Sequence, residues 1–204
     1  MSAAPLTKAE HRRILLARRR AVPEAVHRDE DRQLSSHLAE AVGAARTVCA
    51  YLPVGSEPGS AELVDRLAGL CDEVLLPVTA RGEGRPLSWG RYIPGTLVPA
   101  RFGLQEPPGP WSGPEEIIRA DLVLVPALAV DRCGVRLGRG GGFYDRSLVL
   151  CSPGTRLVAV VRDDEVLDEL PHDPHDVRMT HALTPRAGLI PLGECRPADG
   201  GSST

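Results

Sequence analysis

The sequence predicts a single α/β domain built on a largely parallel sheet, and three observations carry the prediction. A chain of 204 residues has the length of one domain with a sizeable core, whereas two domains would be cramped. Its apolar runs RTVCAYLP, EVLLPVT, DLVLVPALAV and RLVAVVR are of the kind shown by strands buried on both faces. Between them lie stretches with helical spacing and turn-rich loops, the alternation that builds such a sheet.

In chain order, Thr7 and Glu10 form a T-K-A-E capping box, so a helix is expected through HRRILLARRR to about Ala21, and Pro23 starts the next. Lys8 and Arg12 stand four apart on one face, which Arg19 continues two turns later. Taken alone, that face is a solvated basic surface. The second helix is expected from Pro23 to Ala45, with Val26, Leu34, Leu38, Ala41 and Val42 as its buried stripe and Gly43 near its end.

RTVCAYLP is the first strand, and it runs out into LPVGSEPGS before the helix AELVDRLAGLC. An open α/β sheet keeps its ligands at such a strand end, and Glu57 lies there. EVLLPVT is a second parallel strand and PLSWGRYI a third run, followed by RFGLQEPPGPWSGP as a long covering loop and a short helix from Ser112 to Arg119. Trp89 and Trp111 are expected to pack. RLVAVVR is another buried strand, and the polar, glycine-rich tail from Glu194 lies outside a domain spanning 1–193 as a flexible end.

The chain is organised around Asp121 to Arg146. An apolar strand there ends in RLGRGGG, which flows into the amphipathic FYDRSLVL. Gly138, Gly140, Gly141 and Gly142 carry no Cβ, so the backbone can take left-handed angles and aim successive N–H groups at one phosphate. Arg136 and Arg139 bracket the loop with charge. The spacing is not the dinucleotide fingerprint, because Phe143 stands where the third glycine belongs, and no Lys-Ser/Thr pair follows as in a P-loop. A turn that merely joins strand to helix is the structural alternative.

A net charge of −3 gives no global attraction to nucleic acid or anionic membrane, so any anion site must be local. No run approaches the roughly 20 apolar residues of a membrane span. Five cysteines, Cys49, Cys71, Cys133, Cys151 and Cys195, are odd in number and never in a C-x-x-C arrangement, which suggests neither a disulfide framework nor a zinc knuckle and fits a reducing cytoplasm. His172, Asp173, His175 and Asp176 crowd one segment in the manner of metal ligands, but Pro171 and Pro174 exclude a zinc-binding helix.

RLGRGGGFYDR resembles the signature of the 5-formyltetrahydrofolate cyclo-ligase family, R-L-G-x-G-x-G-[FY]-Y-D, and matches every fixed position. The second variable position, often Lys in that family, is Gly141 here, leaving Arg139 to supply charge. Three more segments between Thr7 and Pro185 agree: the K-x-x-x-R pair Lys8 and Arg12, the Leu52 and Glu57 loop, and P-H-D followed by T-P at Pro174 to Asp176 and Thr184 to Pro185. His11 stands where the family usually has Leu. LQEP at Leu104 to Pro107 is similar to its I-x-E-P.

The resemblance implies a three-layer, Rossmann-like domain without a dinucleotide fingerprint, with helices on both faces of the sheet, acting as a monomer on small molecules and not on nucleic acid or membrane. It implies ATP-dependent closure of 5-formyltetrahydrofolate to 5,10-methenyltetrahydrofolate. ATP would be held by Lys8, Arg12, Arg136, Leu137, Gly138, Arg139, Gly140, Gly141, Gly142, Phe143 and Tyr144, with Arg136 and Arg139 acting on the transferred phosphoryl. The folate would meet Leu52, Glu57, Arg139 and Gly140 to Phe143, and Mg²⁺ would meet Asp145 and Asp176, leaving His172 and His175 structural. Two other classes stay open on the residues alone: a CoA-transferase-like or sugar-phosphate-isomerase-like enzyme acting without ATP, and a non-catalytic folate, nucleotide or RNA binder. An aromatic content of 3% with net negative charge argues against RNA.

Overall fold

A computed structural model describes residues 6–78, 84–100, 104–173 and 176–193; Pro174, His175 and the tail from Glu194 lie outside them. The predicted capping box is present at the first helix, α1 (Lys8–Arg20). Glu10 N–H donates to the Thr7 hydroxyl at 3.3 Å, and Thr7 N–H donates back to Glu10 Oε2 at 2.8 Å. Helix α2 (Glu24–Val42) buries Leu34, Leu38, Ala41 and Val42 and ends at Gly43 with φ of 55°. Val26, assigned to that stripe, is instead exposed, because it lies in the first turn, before the helix reaches the sheet.

The main sheet has seven strands. Five are parallel: β1 (Thr47–Cys49), β2 (Glu73–Val78), β6 (Leu122–Pro126), β9 (Arg156–Val160) and β11 (His181–Thr184). Antiparallel strands β3 (Ser88–Arg91) and β12 (Gly188–Pro191) close the two edges, giving the order β12-β11-β9-β6-β1-β2-β3. Between β1 and β2 the chain forms α3 (Ala61–Ala68). Minor pairs are β4 (Val98–Pro99) with β5 (Gln105–Glu106), so the expected covering loop is partly a small hairpin.

Strand alternation sorts the side chains into two cores. Leu122 and Leu124 of β6 meet Leu34, Leu38 and Leu67 from α2 and α3 on one face. Val123 and Val125 meet Trp89, Ile117 and Leu148 on the other, where short turns of helix do the covering: a 3₁₀ turn, Pro114–Arg119, and α4 (Phe143–Leu148). This is the expected three-layer α/β arrangement, with one thin helical layer. Trp89 is fully buried, whereas Trp111 packs only in part, lying against Gly90 with Nε1 donating to Pro107 O at 2.9 Å while 53% exposed.

The apolar run from Asp121 is not one strand. It leaves the main sheet at Pro126, and Ala129–Asp131 forms β7 in a second sheet between β8 (Arg136–Leu137) and β10 (Val166–Leu167). α1 seals this small sheet with Leu15 against Leu128, Val135 and Leu137. Gly134, with φ of 83°, makes the β7–β8 turn, and a Cβ there would meet Met179 O at 2.3 Å. Buried Asp131 holds that turn by accepting from Cys133 N, Val135 N and Leu170 N. Cys133 is disulfide-bonded, which the cysteine spacing did not suggest, while Cys49, Cys71 and Cys151 are free. No helix among the described residues is long and apolar enough to cross a membrane.

Candidate functional site

β1 and β6 are adjacent, and the chain proceeds from β1 to β2 in one direction and from β6 to β9 in the other. Strand order therefore reverses between them, the position where open parallel sheets leave a crevice beyond their carboxyl ends. A cleft of about 410 Å³ occupies this place. Tyr51 and Leu52 after β1, Leu76 and Pro77 of β2, and Ala127 and Leu128 after β6 form its apolar floor. Gly138 to Asp145 form one wall, with Glu57 and the Leu104 to Glu106 segment across from them.

The glycine loop turns because Gly140 and Gly142 take φ of 101° and 68°, conformations that an L side chain rarely adopts. Arg12 of α1 donates Nε to Gly138 O at 2.9 Å, and Arg146 donates Nη2 to Gly141 O at 3.0 Å while its guanidinium lies over the Phe143 ring. Two of the loop's carbonyls, Gly138 O and Gly141 O, are thus taken up by arginines. α4 spans only six residues, so the loop's own N–H groups, rather than a long helix dipole, must favour an anion.

Charged groups around the cleft come in opposite pairs. Arg139 Nε lies 3.1 Å from Glu57 Oε1, joining the two loops across the opening, and Glu57 Oε2 also accepts from Val54 N at 3.0 Å. Arg136 is buried, pairs with Asp145 through Nη2, donates Nη1 to Pro126 O and lies over the Tyr144 ring. Lys8 donates to Asp173 Oδ2 at 2.5 Å and Asp176 Oδ2 at 2.9 Å. Partial burial alone would lower the Lys8 pKa, but these two carboxylates raise it overall. Burial, reinforced by the Glu57 carboxylate, pushes the Tyr144 hydroxyl far above its usual value. That hydroxyl is buried and has no hydrogen-bond partner among the described residues.

Most of the sequence-predicted site residues are brought together: Leu52, Glu57, Arg136, Arg139, Tyr144, Asp145 and the loop between them all line the cleft. Lys8, Arg12, Leu137 and Asp176 do not. Lys8 and Arg12 sit on the adjoining rim, within reach of the 170s segment and the glycine loop. Leu137 is 2% exposed and belongs to the small core under α1, so its side chain cannot meet a nucleotide. Asp176 is held by Lys8 and by Asp173 N. Among the described residues no group of three or more His, Cys, Asp or Glu gathers as a metal site. The half-exposed Asp145 carboxylate suits Mg²⁺ that takes most of its ligands from phosphate and water, whereas the donor set does not suit an ion held by protein alone.

Residues 5–185 match the 5-formyltetrahydrofolate cyclo-ligase family. The chain belongs to that family. The 5-formyltetrahydrofolate cyclo-ligase of Mycolicibacterium smegmatis is 56% identical over 191 residues, covering 92% of this chain and 98% of the relative, and that of Escherichia coli is 29% identical over 82% and 94%. The solved structure of Aquifex aeolicus 5,10-methenyltetrahydrofolate synthetase superposes with a TM-score of 0.71 at 26% identity, covering 97% of this chain and 98% of that one. The glycine loop that carries the family signature is the wall of the cleft.

Sequence reasoning missed two contributors. Arg19, read as part of a solvated basic face, lines the cleft yet is 2% exposed, paired with Glu165 at 2.6 Å and bonded to Ala127 O. Its partner lies 146 residues away, beyond the reach of helical spacing. Arg146 was visible only as Asp145's neighbour, although it clasps the glycine loop.

Proposed function

We propose that this cleft performs the family's reaction: ATP-dependent conversion of 5-formyltetrahydrofolate to 5,10-methenyltetrahydrofolate, with release of ADP and phosphate. The observation that carries the reading is the convergence on one cleft of an apolar floor, an acidic loop at Glu57 and a glycine loop flanked by arginines. The first two suit a pterin and the third suits phosphates. A carboxylate can accept two adjacent N–H donors of a pterin ring together, and Leu52 offers the ring an apolar face.

The formyl oxygen is a poor leaving group until it is phosphorylated. It attacks the γ-phosphorus as the bond to the ADP oxygen breaks. The 10-nitrogen of the same folate then adds to the activated formyl carbon, phosphate departs with the former formyl oxygen, and that nitrogen releases its proton. No protein nucleophile is required. The chain must hold both substrates in line and neutralise charge on the phosphoryl group in flight. We assign Gly138, Gly140, Gly141 and Gly142 N–H groups, with Arg139 and the rim cations Lys8 and Arg12, to the phosphates. Arg136 would act on the transferred phosphoryl mainly by shaping the loop, since its guanidinium is bound to Pro126 O and its charge is largely neutralised by Asp145. Asp145 would hold nucleotide-bound Mg²⁺, which supplies charge neutralisation at the phosphates, and Asp176 would join it only by giving up Lys8.

Release of ADP should require 5-formyltetrahydrofolate. Folate-independent ATP turnover, or binding of both ligands without ADP release, would overturn the reading in favour of a hydrolase or a non-catalytic binder.

A further inference from the structure

The Glu57 carboxylate can select a pterin only if its loop is fixed, and the segment from Val54 to Gly59 contains neither helix nor strand. Three hydrogen bonds from outside hold its backbone: Tyr51 Oη donates to Pro58 O at 2.9 Å, and one further bond lies on each side of Glu57. Arg162 Nη1 donates to Ser56 O at 3.2 Å, and Gly59 N donates to Asp31 Oδ1 at 3.0 Å.

Arg162 follows β9, is 5% exposed and has every arm of its fork engaged. Nε donates to Glu30 Oε2 at 2.8 Å, Nη2 meets His27 Nδ1 at 3.2 Å, and its backbone N–H donates to Glu165 Oε2 at 2.8 Å. Glu165 in turn holds Arg19, whose Nη2 donates to Ala127 O at 2.6 Å on the cleft floor. His27, Glu30 and Asp31 have the i, i+3, i+4 spacing of one helix face, so α2 presents all three to the loop and to Arg162. One network therefore reaches Ala127 O on the cleft floor and Ser56 O, the carbonyl just before Glu57.

Stability alone does not account for it. Burying such charges costs about as much as their pairing returns, and apolar replacements of similar volume are often neutral or better. What an arginine fork adds is direction: a planar group pinned at Nε and one Nη has its other Nη aimed.

We propose that Arg162 is a positioning residue for folate selection, holding the Glu57 loop at a fixed depth through Ser56 O while Asp31 holds its far side. The inference rests on Glu57 being the pterin partner. It makes no claim on ATP.

The test compares Arg162→Lys, Glu57→Gln, the double variant and Asp31→Asn in the full chain. Lysine keeps the charge beside Glu30 but cannot also reach Ser56 O and His27. We expect Arg162→Lys to raise KM for 5-formyltetrahydrofolate on the order of tenfold, the effect of one lost charge-assisted hydrogen bond, with kcat and KM for ATP little changed. Amides 54–59 should exchange faster with deuterated solvent in the free protein. In the Glu57→Gln background the same change should add little, since both act through one group. Asp31→Asn weakens the acceptor for Gly59 N and should raise folate KM in the same direction but by less than Arg162→Lys, and an unchanged folate KM would remove Asp31 from the loop's support. If Arg162→Lys lowers Tm and kcat with folate KM and loop exchange unmoved, Arg162 is merely structural and the inference fails while Glu57 keeps its role. If Glu57→Gln leaves folate KM unchanged, the pterin assignment itself falls, and any effect of Arg162→Lys has another route.

Discussion

Replacing Glu57 by glutamine separates the two substrates, because the structure gives its two oxygens different work. Oε2 accepts from Val54 N, an interaction that an amide oxygen can retain, and Oε1 faces Arg139. The Arg139 ion pair is half exposed on its arginine side, so losing it should cost less than about 1 kcal/mol. The pterin suffers more. Where two acceptors met two N–H donors, one becomes an NH₂ group pointing at a donor, a buried mismatch of about 1–3 kcal/mol. That corresponds to roughly a five- to 150-fold rise in folate dissociation constant. Affinity for a non-hydrolysable ATP analogue should hold or tighten slightly, since Arg139 is released toward the phosphates. Calorimetric titration of each ligand without the other measures both constants. Equal weakening of both, or no change in either, would refute the assignment of Glu57 to the pterin.

Other outcomes follow from the same geometry. Asp145→Asn should raise the Mg²⁺ concentration for half-maximal turnover, with partial rescue by excess Mg²⁺ and folate binding unaltered without nucleotide; Asp176→Asn should do so as well only if Asp176 leaves Lys8 for the metal, and wild-type Mg²⁺ dependence would remove either residue from the site. Tyr144→Phe deletes a buried hydroxyl that lacks a partner, so Tm should hold or rise while KM for ATP increases if the nucleotide engages that hydroxyl; a fall in Tm would show that the hydroxyl is already satisfied. Gly134→Ala places a Cβ against Met179 O at positive φ, which should cost about 1–3 kcal/mol. For a chain of this size, thermal melting should then fall by roughly 2–12 °C, and an unchanged Tm would mean that the turn relaxes freely.

Local chemistry was legible in the sequence, and long-range pairing was not. The Thr7 and Glu10 capping box and the α2 stripe from Leu34 to Val42 are each set by residues a few positions apart and form as read, and the glycine loop takes left-handed angles at Gly140 and Gly142. The run from Asp121 misled because burial in either sheet demands the same apolar residues, so hydrophobicity cannot show that the chain changes sheets after Pro126. The direction of β3 was hidden for a similar reason, since an edge strand alternates alike in both orientations. Leu137 entered the site through its place inside the signature, yet the β7–β8 pairing turns its side chain into the core. The signature located the cleft wall, but the partners that neutralise Arg19, Lys8 and Arg162 come from Glu165, Asp176 and Glu30, 146, 168 and 132 residues away. Such pairs leave no periodic trace.

The most direct measurement mixes the protein with Mg²⁺-ATP and 5-formyltetrahydrofolate and follows the near-ultraviolet absorption band of the methenyl product. The account predicts a band that grows in proportion to protein and needs both substrates. Folded protein that binds both substrates yet produces no band would contradict it.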